Sequence, residues 1–124
     1  MVLVDSSSWI DYFQSGERGH PIDDLLLSNT LCTNDIILSE LVPVITHRKE
    51  RALLSKLTAI NKFPLRIDWD HVVKMQILNL KNGINKVGIP DLLVIQNALA
   101  FNLEILSLDK HFALMSKVHG FKLL

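Results

Sequence analysis

Apolar residues in this chain come in blocks whose lengths fall into two classes. Short runs at Met1 to Val4, Thr30 to Thr33, Phe63 to Ile67, Leu103 to Asp109 and Phe121 to Leu124 have the length and branched or aromatic content of strands. Between them lie longer stretches with helical spacing. Trp9, Ile10 and Phe13 share one face of a first helix expected over Ser8 to Phe13 and stopped at Ser15-Gly16. Pro21 opens a second helix, with Asp23 and Asp24 in its first turn. Asn34-Asp35 caps a third, which runs through Ile37, Glu40, Leu41 and Ile45 and is expected to kink or break at Pro43.

Farther along, Ala52, Leu53, Leu57 and Ile60 form the apolar side of a helix expected from His47 to Ile60. Asp70 is expected to cap the next, which carries Val72, Met75 and Leu80 and stops at Asn82-Gly83, with Asp68 left in the loop. From Asp91 to Phe101 the chain is apolar nearly all the way round, the mark of a buried helix, and its first-turn acid is the exception. Phe112, Met115 and Val118 define the last helix. Such alternation implies an α/β fold, a mostly parallel sheet of about five short strands with helices on both faces, because parallel neighbours need crossover connections. No repeat, low-complexity segment or linker divides residues 1 to 124, so a single domain is expected.

Composition adds constraints. A chain of 124 residues with 48% hydrophobic content and mean hydropathy +0.26 is expected to be compact. No apolar run approaches the roughly 18 to 20 residues of a membrane span and no basic leader precedes the first apolar segment, so a soluble cytoplasmic protein is expected. Cys32, the single cysteine, cannot form an internal disulfide and reads as a buried apolar thiol. The formal net charge is zero, yet the charges are segregated. Up to His47 the one cation, Arg18, faces Asp5, Asp11, Glu17, Asp23, Asp24, Asp35 and Glu40, whereas cations gather in Arg48, Lys49, Arg51, Lys56 and Lys62. That cluster is either a solvated helix face or a resting place for a polyanion.

Four acids lack a surface explanation as a group. Asp5 and Asp109 end strands, Asp91 opens a buried helix, and Glu40 lies in an otherwise apolar one. Taken singly, each has a bland reading as a cap, a helix-start charge or a surface residue. Carboxylates gathered beside a core are costly unless a cation neutralises them, and no lysine or arginine lies inside these segments. Carboxylates without partnering His or Cys ligands suit a hard divalent ion, Mg²⁺ or Mn²⁺. The chemistry that follows is phosphodiester hydrolysis, with a metal-activated water and stabilised phosphate charge. Ser6, Ser7 and Ser107 are candidate accessories that could hold a water or a phosphate oxygen, or are ordinary turn and strand serines. His111, close to Asp109, reads as a helix-face residue.

The segments VDSSSWIDYF, NDIILSELVPVI, IPDLLVIQNALAFNLEIL and SLDKHFALMSKVHGFKLL, in this order and spacing, resemble the PIN-domain ribonucleases of the VapC-like toxin group. The resemblance covers essentially the whole chain. It implies a PIN-like three-layer sandwich, a Mg²⁺- or Mn²⁺-dependent endoribonuclease, a homodimer, and a cognate antitoxin that blocks the site. By position Asp5, Glu40, Asp91 and Asp109 match the family's catalytic and metal-binding acids, and Ser7 its small polar residue. Arg48, Lys49 and Arg51 are the candidate RNA contacts. Two features depart from the family pattern: Leu92, Val94 and Gln96-Asn97 stand where small residues are common, and Pro43 closely follows Glu40. A haloacid-dehalogenase-type hydrolase would need an acid at position 7, and a receiver domain an acidic pair near Asp5. The remaining alternative is a silent module of the same fold that binds RNA or protein without cleaving.

Overall fold

A computed structural model describes residues 1–15 and 19–124. Gly16, expected to stop the first helix, lies outside the described residues, as do Glu17 and Arg18 of the charge inventory. In chain order the elements are β1 (Val2–Val4), α1 (Ser6–Ser15), α2 (Pro21–Leu27), β2 (Leu31–Thr33), α3 (Asp35–His47), α4 (Arg51–Thr58) and β3 (Asn61–Lys62). There follow α5 (Trp69–Lys81), α6 (Ile89–Phe101), β4 (Glu104–Leu106), α7 (Lys110–His119) and β5 (Lys122–Leu123). The five strands form one sheet in the order β3-β2-β1-β4-β5, and every pairing is parallel. The expected α/β architecture is therefore present, with a wholly parallel sheet among the described residues.

The order places β1 at the centre, where the chain first winds outward through β2 and β3 and then returns to add β4 and β5 on the other side. Parallel α/β sheets bind ligands outside the carboxyl ends of the strands at such a reversal. β1 and β4 pair Val2 with Glu104, Leu3 with Ile105 and Val4 with Leu106, and the ladder closes with the Asp5 N–H donating to the Leu106 carbonyl at 2.9 Å. Register thus sets Asp5 beside Ser107.

Both faces of the sheet are covered, so the central strands read as unbroken apolar runs. Leu3, Val4, Cys32 and Ile105 are buried, packed with Trp9, Ile22, Ile37, Leu41, Leu92, Ile95, Phe112 and Met115 from the helices. Cys32 fills the apolar role expected of it, and burial pushes its thiol up to about 11.

Five expectations are corrected. α1 begins at Ser6, two residues early, because the Asp5 carbonyl at the strand end accepts from Ser8 and Trp9 N–H at 3.1 and 3.3 Å. α3 continues through Pro43 to His47 without a break. The carbonyl that Pro43 leaves without a partner belongs to Ser39, which like Pro43 is exposed, so water can satisfy it. The single helix expected from His47 to Ile60 is two. Lys49 adopts φ 57°, and the bonds Lys49 N–H to Thr46 O and Glu50 N–H to Ile45 O form a Schellman motif. The charged run Arg48 to Arg51 offers no apolar face to keep a helix packed.

The third strand is Asn61–Lys62 rather than Phe63 to Ile67. Phe63 still donates to Thr33 O at 2.9 Å, but Pro64 has no N–H for the ladder and its carbonyl instead accepts from Asn97 Nδ2 at 2.9 Å. Lastly, Asp68 rather than Asp70 caps α5, accepting from His71 N–H at 3.2 Å, while Asp70 lies in the first turn.

Candidate functional site: an acidic edge at the strand ends

Asp5 is 5% exposed, a nearly buried carboxylate at the tip of the central strand. Burial on that scale requires hydrogen-bond donors. Ser7 Oγ donates to Asp5 Oδ2 at 3.1 Å and Ser107 Oγ to the same oxygen at 3.0 Å. A hydroxyl has one hydrogen, so with both committed to Asp5 the 3.2 Å approach of the two serines is a contact rather than a third bond. Each serine is oriented in turn by a backbone donor, Leu108 N–H to Ser7 Oγ and Asp109 N–H to Ser107 Oγ, both at 3.1 Å. The first and last thirds of the chain are thereby laced together around one carboxylate oxygen. Among the described residues no hydrogen bond reaches Asp5 Oδ1.

The other three acids arrive on helices. Asp109 is the N-cap of α7, its Oδ1 accepting from His111 N–H at 2.9 Å. Asp91 stands in the first turn of α6, after Gly88 and Pro90. α6 feeds β4 from the opposite end of the sheet, which puts its N-terminus at the same edge as the carboxyl ends of the strands. Glu40 lies one turn and a half into α3, exposed, with Ser6 Oγ donating to its Oε2 at 3.4 Å. The uninterrupted α3 thus directs Glu40 toward the start of α1 despite Pro43.

Asp91 lies within electrostatic reach of the other three acids. Partial desolvation, then the charges of Asp5, Asp109 and Glu40, push the Asp91 carboxyl up to about 6, and His111 partly offsets them. Glu40 is raised as well, by desolvation first and then by Asp5, with the Ser6 hydrogen bond opposing. A repulsive cluster of this kind needs compensation, and four helix N-termini, of α1, α3, α6 and α7, supply part of it by ending at this edge. Their free N–H groups equally suit a phosphate.

Among the described residues no three carboxylate, imidazole or thiol groups converge tightly enough to enclose a bare ion. The donor set still fits a hard cation. It consists of oxygen ligands, one of them nearly buried with Oδ1 free of hydrogen bonds, and Mg²⁺ keeps several waters and takes only one or two carboxylates directly.

Ser7 and Ser107 are therefore brought to Asp5, and Ser6 to Glu40. Arg48, Lys49 and Arg51 are exposed at the α3–α4 corner, about 12 Å beyond Glu40 along the α3 axis. No described ion pair joins them to the acids.

Asn34 is the cap expected of the Asn34-Asp35 pair, but sequence reasoning missed the cross-links by which it, Gln96 and Asn97 brace the edge. Asn34 caps α3 through Ile37 N–H at 2.9 Å and donates to Asn97 Oδ1 at 2.9 Å, tying α3 to α6. Gln96 accepts from Asp68 N–H, donates to Asp68 O, and meets His71 Nδ1 at 2.8 Å. The signal was the pair Gln96-Asn97 in an otherwise apolar helix, polar side chains with no surface to justify them.

A family model for the PIN domain matches residues 2–118. Among solved structures, DNA-bound VapBC from Salmonella typhimurium has a chain that superposes with a TM-score of 0.78 at 14% identity, covering 99% of this chain and 96% of that one. VapBC2 from Rickettsia felis, bound to a DNA fragment from its promoter, gives 0.75 at 17% identity, covering 100% and 98%. VapC20 of Mycobacterium tuberculosis, described as a sarcin-ricin loop cleaving toxin, gives 0.65 at 16%, covering 100% and 98%. At these identities the likeness establishes the fold. Comparison with curated protein sequences finds no match.

The raised Asp91 pKa makes a signed prediction for metal-free protein. A carboxyl whose folded pKa lies above its unfolded value stabilises the fold when protonated, and that contribution is lost as pH rises from about 4 through about 6. Asp91→Asn is expected to be the more stable protein at pH 8, by on the order of 1 kcal/mol once solvent screening of a half-buried group is allowed for. The difference should vanish near pH 4. Urea denaturation at both pH values checks this, and a variant less stable than the parent at pH 8 contradicts the repulsive edge.

Proposed function

The chain belongs to the PIN-domain family, and from that premise we propose that it is a divalent-metal-dependent endoribonuclease, the toxin of a toxin–antitoxin pair. The observation that carries the reading is the gathering of Asp5, Glu40, Asp91 and Asp109 at the topological switch point, each raised or held by its neighbours. Mg²⁺ or Mn²⁺ bound there supplies activation of a water and neutralisation of phosphate charge. The chain's own part is positional. Ser7 and Ser107 fix Asp5 with Oδ1 outward, Asp91 and Asp109 close the ring from two helix starts, and Glu40 with Ser6 forms its outer side. The helix N-termini orient a scissile phosphate, and Arg48, Lys49 and Arg51 hold the RNA backbone farther along.

Partners follow from the surface. A pocket of about 220 Å³ lined by Leu25, Leu26, Leu31, Ala59 and Ile60, with Asn29 and Lys56, lies at the amino ends of β2 and β3, away from the acids, and offers an antitoxin a peripheral contact. The likeness to the VapBC structures from Salmonella typhimurium and Rickettsia felis supports an antitoxin partner. On α5, Trp69, Val73, Ile77 and Leu80 are 59%, 57%, 47% and 61% exposed along one stripe, a surface that a second copy would cover. Among the described residues no helix is long and apolar enough to cross a membrane. A second reading, the silent module, is favoured by one fact, that among the described residues no three ligands converge on a bare ion.

Incubation of the purified chain with structured RNAs in Mg²⁺ or Mn²⁺, beside EDTA and Asp5→Asn, separates the two. The proposal expects internal cleavage in the first and none in the controls. Cleavage unchanged by both controls contradicts the metal–acid mechanism, and RNA binding without cleavage establishes the silent module. For the dimer, Ile77→Glu is expected to convert a sedimenting dimer to monomer at micromolar concentration, and an unaltered dimer places the interface elsewhere.

A further inference from the structure

Asp109 is held twice by one residue. The His111 backbone N–H caps Asp109 Oδ1 at 2.9 Å, and the His111 ring brings Nδ1 to 3.0 Å from the same oxygen. The first bond suffices to start α7, since a cap needs only one backbone donor. The second is additional, and it has a consequence for the carboxylate. A single bond to Oδ1 leaves the group free to swing about it, whereas two donors from different directions set its plane. Because an ionised carboxylate only accepts, Nδ1 must carry the hydrogen, which fixes the tautomer of a neutral ring. The two side chains are 31% and 34% exposed, so this bond is only partly in competition with water. Among the described residues nothing bonds Asp109 Oδ2, and Ser107 Oγ receives the Asp109 backbone N–H on the side facing Asp5.

We infer that His111 is a positioning residue of the acidic edge, its ring locking Asp109 so that Oδ2 is the oxygen presented to a divalent cation. The inference rests on the reading of this edge as a cation site. Carboxylates that ligate metals are commonly held by such outer hydrogen bonds, and losing one costs roughly 10- to 100-fold in affinity. A cap alone would make no demand on the ring.

The test uses the full chain without RNA and Mn²⁺ alone as the probe, its free concentration followed by electron paramagnetic resonance. His111→Ala is expected to bind Mn²⁺ ~10-fold more weakly than the parent. Its metal-free thermal midpoint should stay within a few degrees, because the backbone cap survives. His111→Asn, whose amide nitrogen can stand where Nδ1 stood, is expected to recover most of the affinity. Asp5→Asn serves as the reference for loss of the site. Mn²⁺ affinity within twofold of the parent in His111→Ala, or His111→Asn as weak as His111→Ala, overturns the positioning role while leaving the site intact. A parent whose Mn²⁺ binding Asp5→Asn does not weaken overturns both this inference and the reading beneath it.

Discussion

At the middle of the sheet β1 runs parallel to β4, and this pairing sets the geometry of the carboxyl edge. It joins residues a hundred positions apart in register, so that Asp5 emerges beside Ser107 and one carboxylate oxygen can take hydroxyl hydrogens from Ser7 and Ser107 together. Without that register a nearly buried Asp5 would be an uncompensated charge at the centre of the sheet. With it, the same oxygen becomes an anchor for the start of α7, because Ser107 Oγ also receives the Asp109 N–H.

Around that anchor the fold holds opposing electrostatic demands. Four carboxylates at one edge repel, and their mutual repulsion adds to the desolvation that chiefly raises Asp91 and Glu40. Helix N-termini and His111 relieve it in part. The remainder is a cost to stability that the described residues leave uncompensated. Lateral bracing keeps the arrangement from relaxing outward. Asn34 and Asn97 lock α3 to α6, Asn97 and Gln96 hold the 63–68 loop, and Phe63 stacks near Phe101 at 4.9 Å.

The sequence made the architecture readable because strand and helix lengths differ so clearly here; Asp5, Asp91 and Asp109 stood out near the ends of elements, and Glu40 as the one acid inside an otherwise apolar helix. What it concealed were contacts decided by register and by distant partners. Asp68 and Asp70 are equally good caps by composition, and Gln96 chooses between them by gripping the backbone of Asp68. The short β3 precedes its expected position because Pro64 turns its carbonyl to Asn97, a contact across 33 residues. Pro43 looked disruptive, but its effect falls on an exposed carbonyl that water can serve. His111 looked like a helix-face residue, and only the geometry of the Asp109 cap shows its ring turned back on the carboxylate.

On the proposed reading, Asp5, Asp91 and Asp109 lie within reach of a shared divalent ion. Anomalous scattering from a crystal of the chain equilibrated with Mn²⁺ tests this most directly. A peak is expected at the carboxyl ends of β1 and β4, within ligand distance, directly or through one water, of Asp5 Oδ1, Asp91 and Asp109 Oδ2. A peak away from this edge, or an ion at the edge that leaves Asp91 or Asp109 outside its hydration shell, would contradict it.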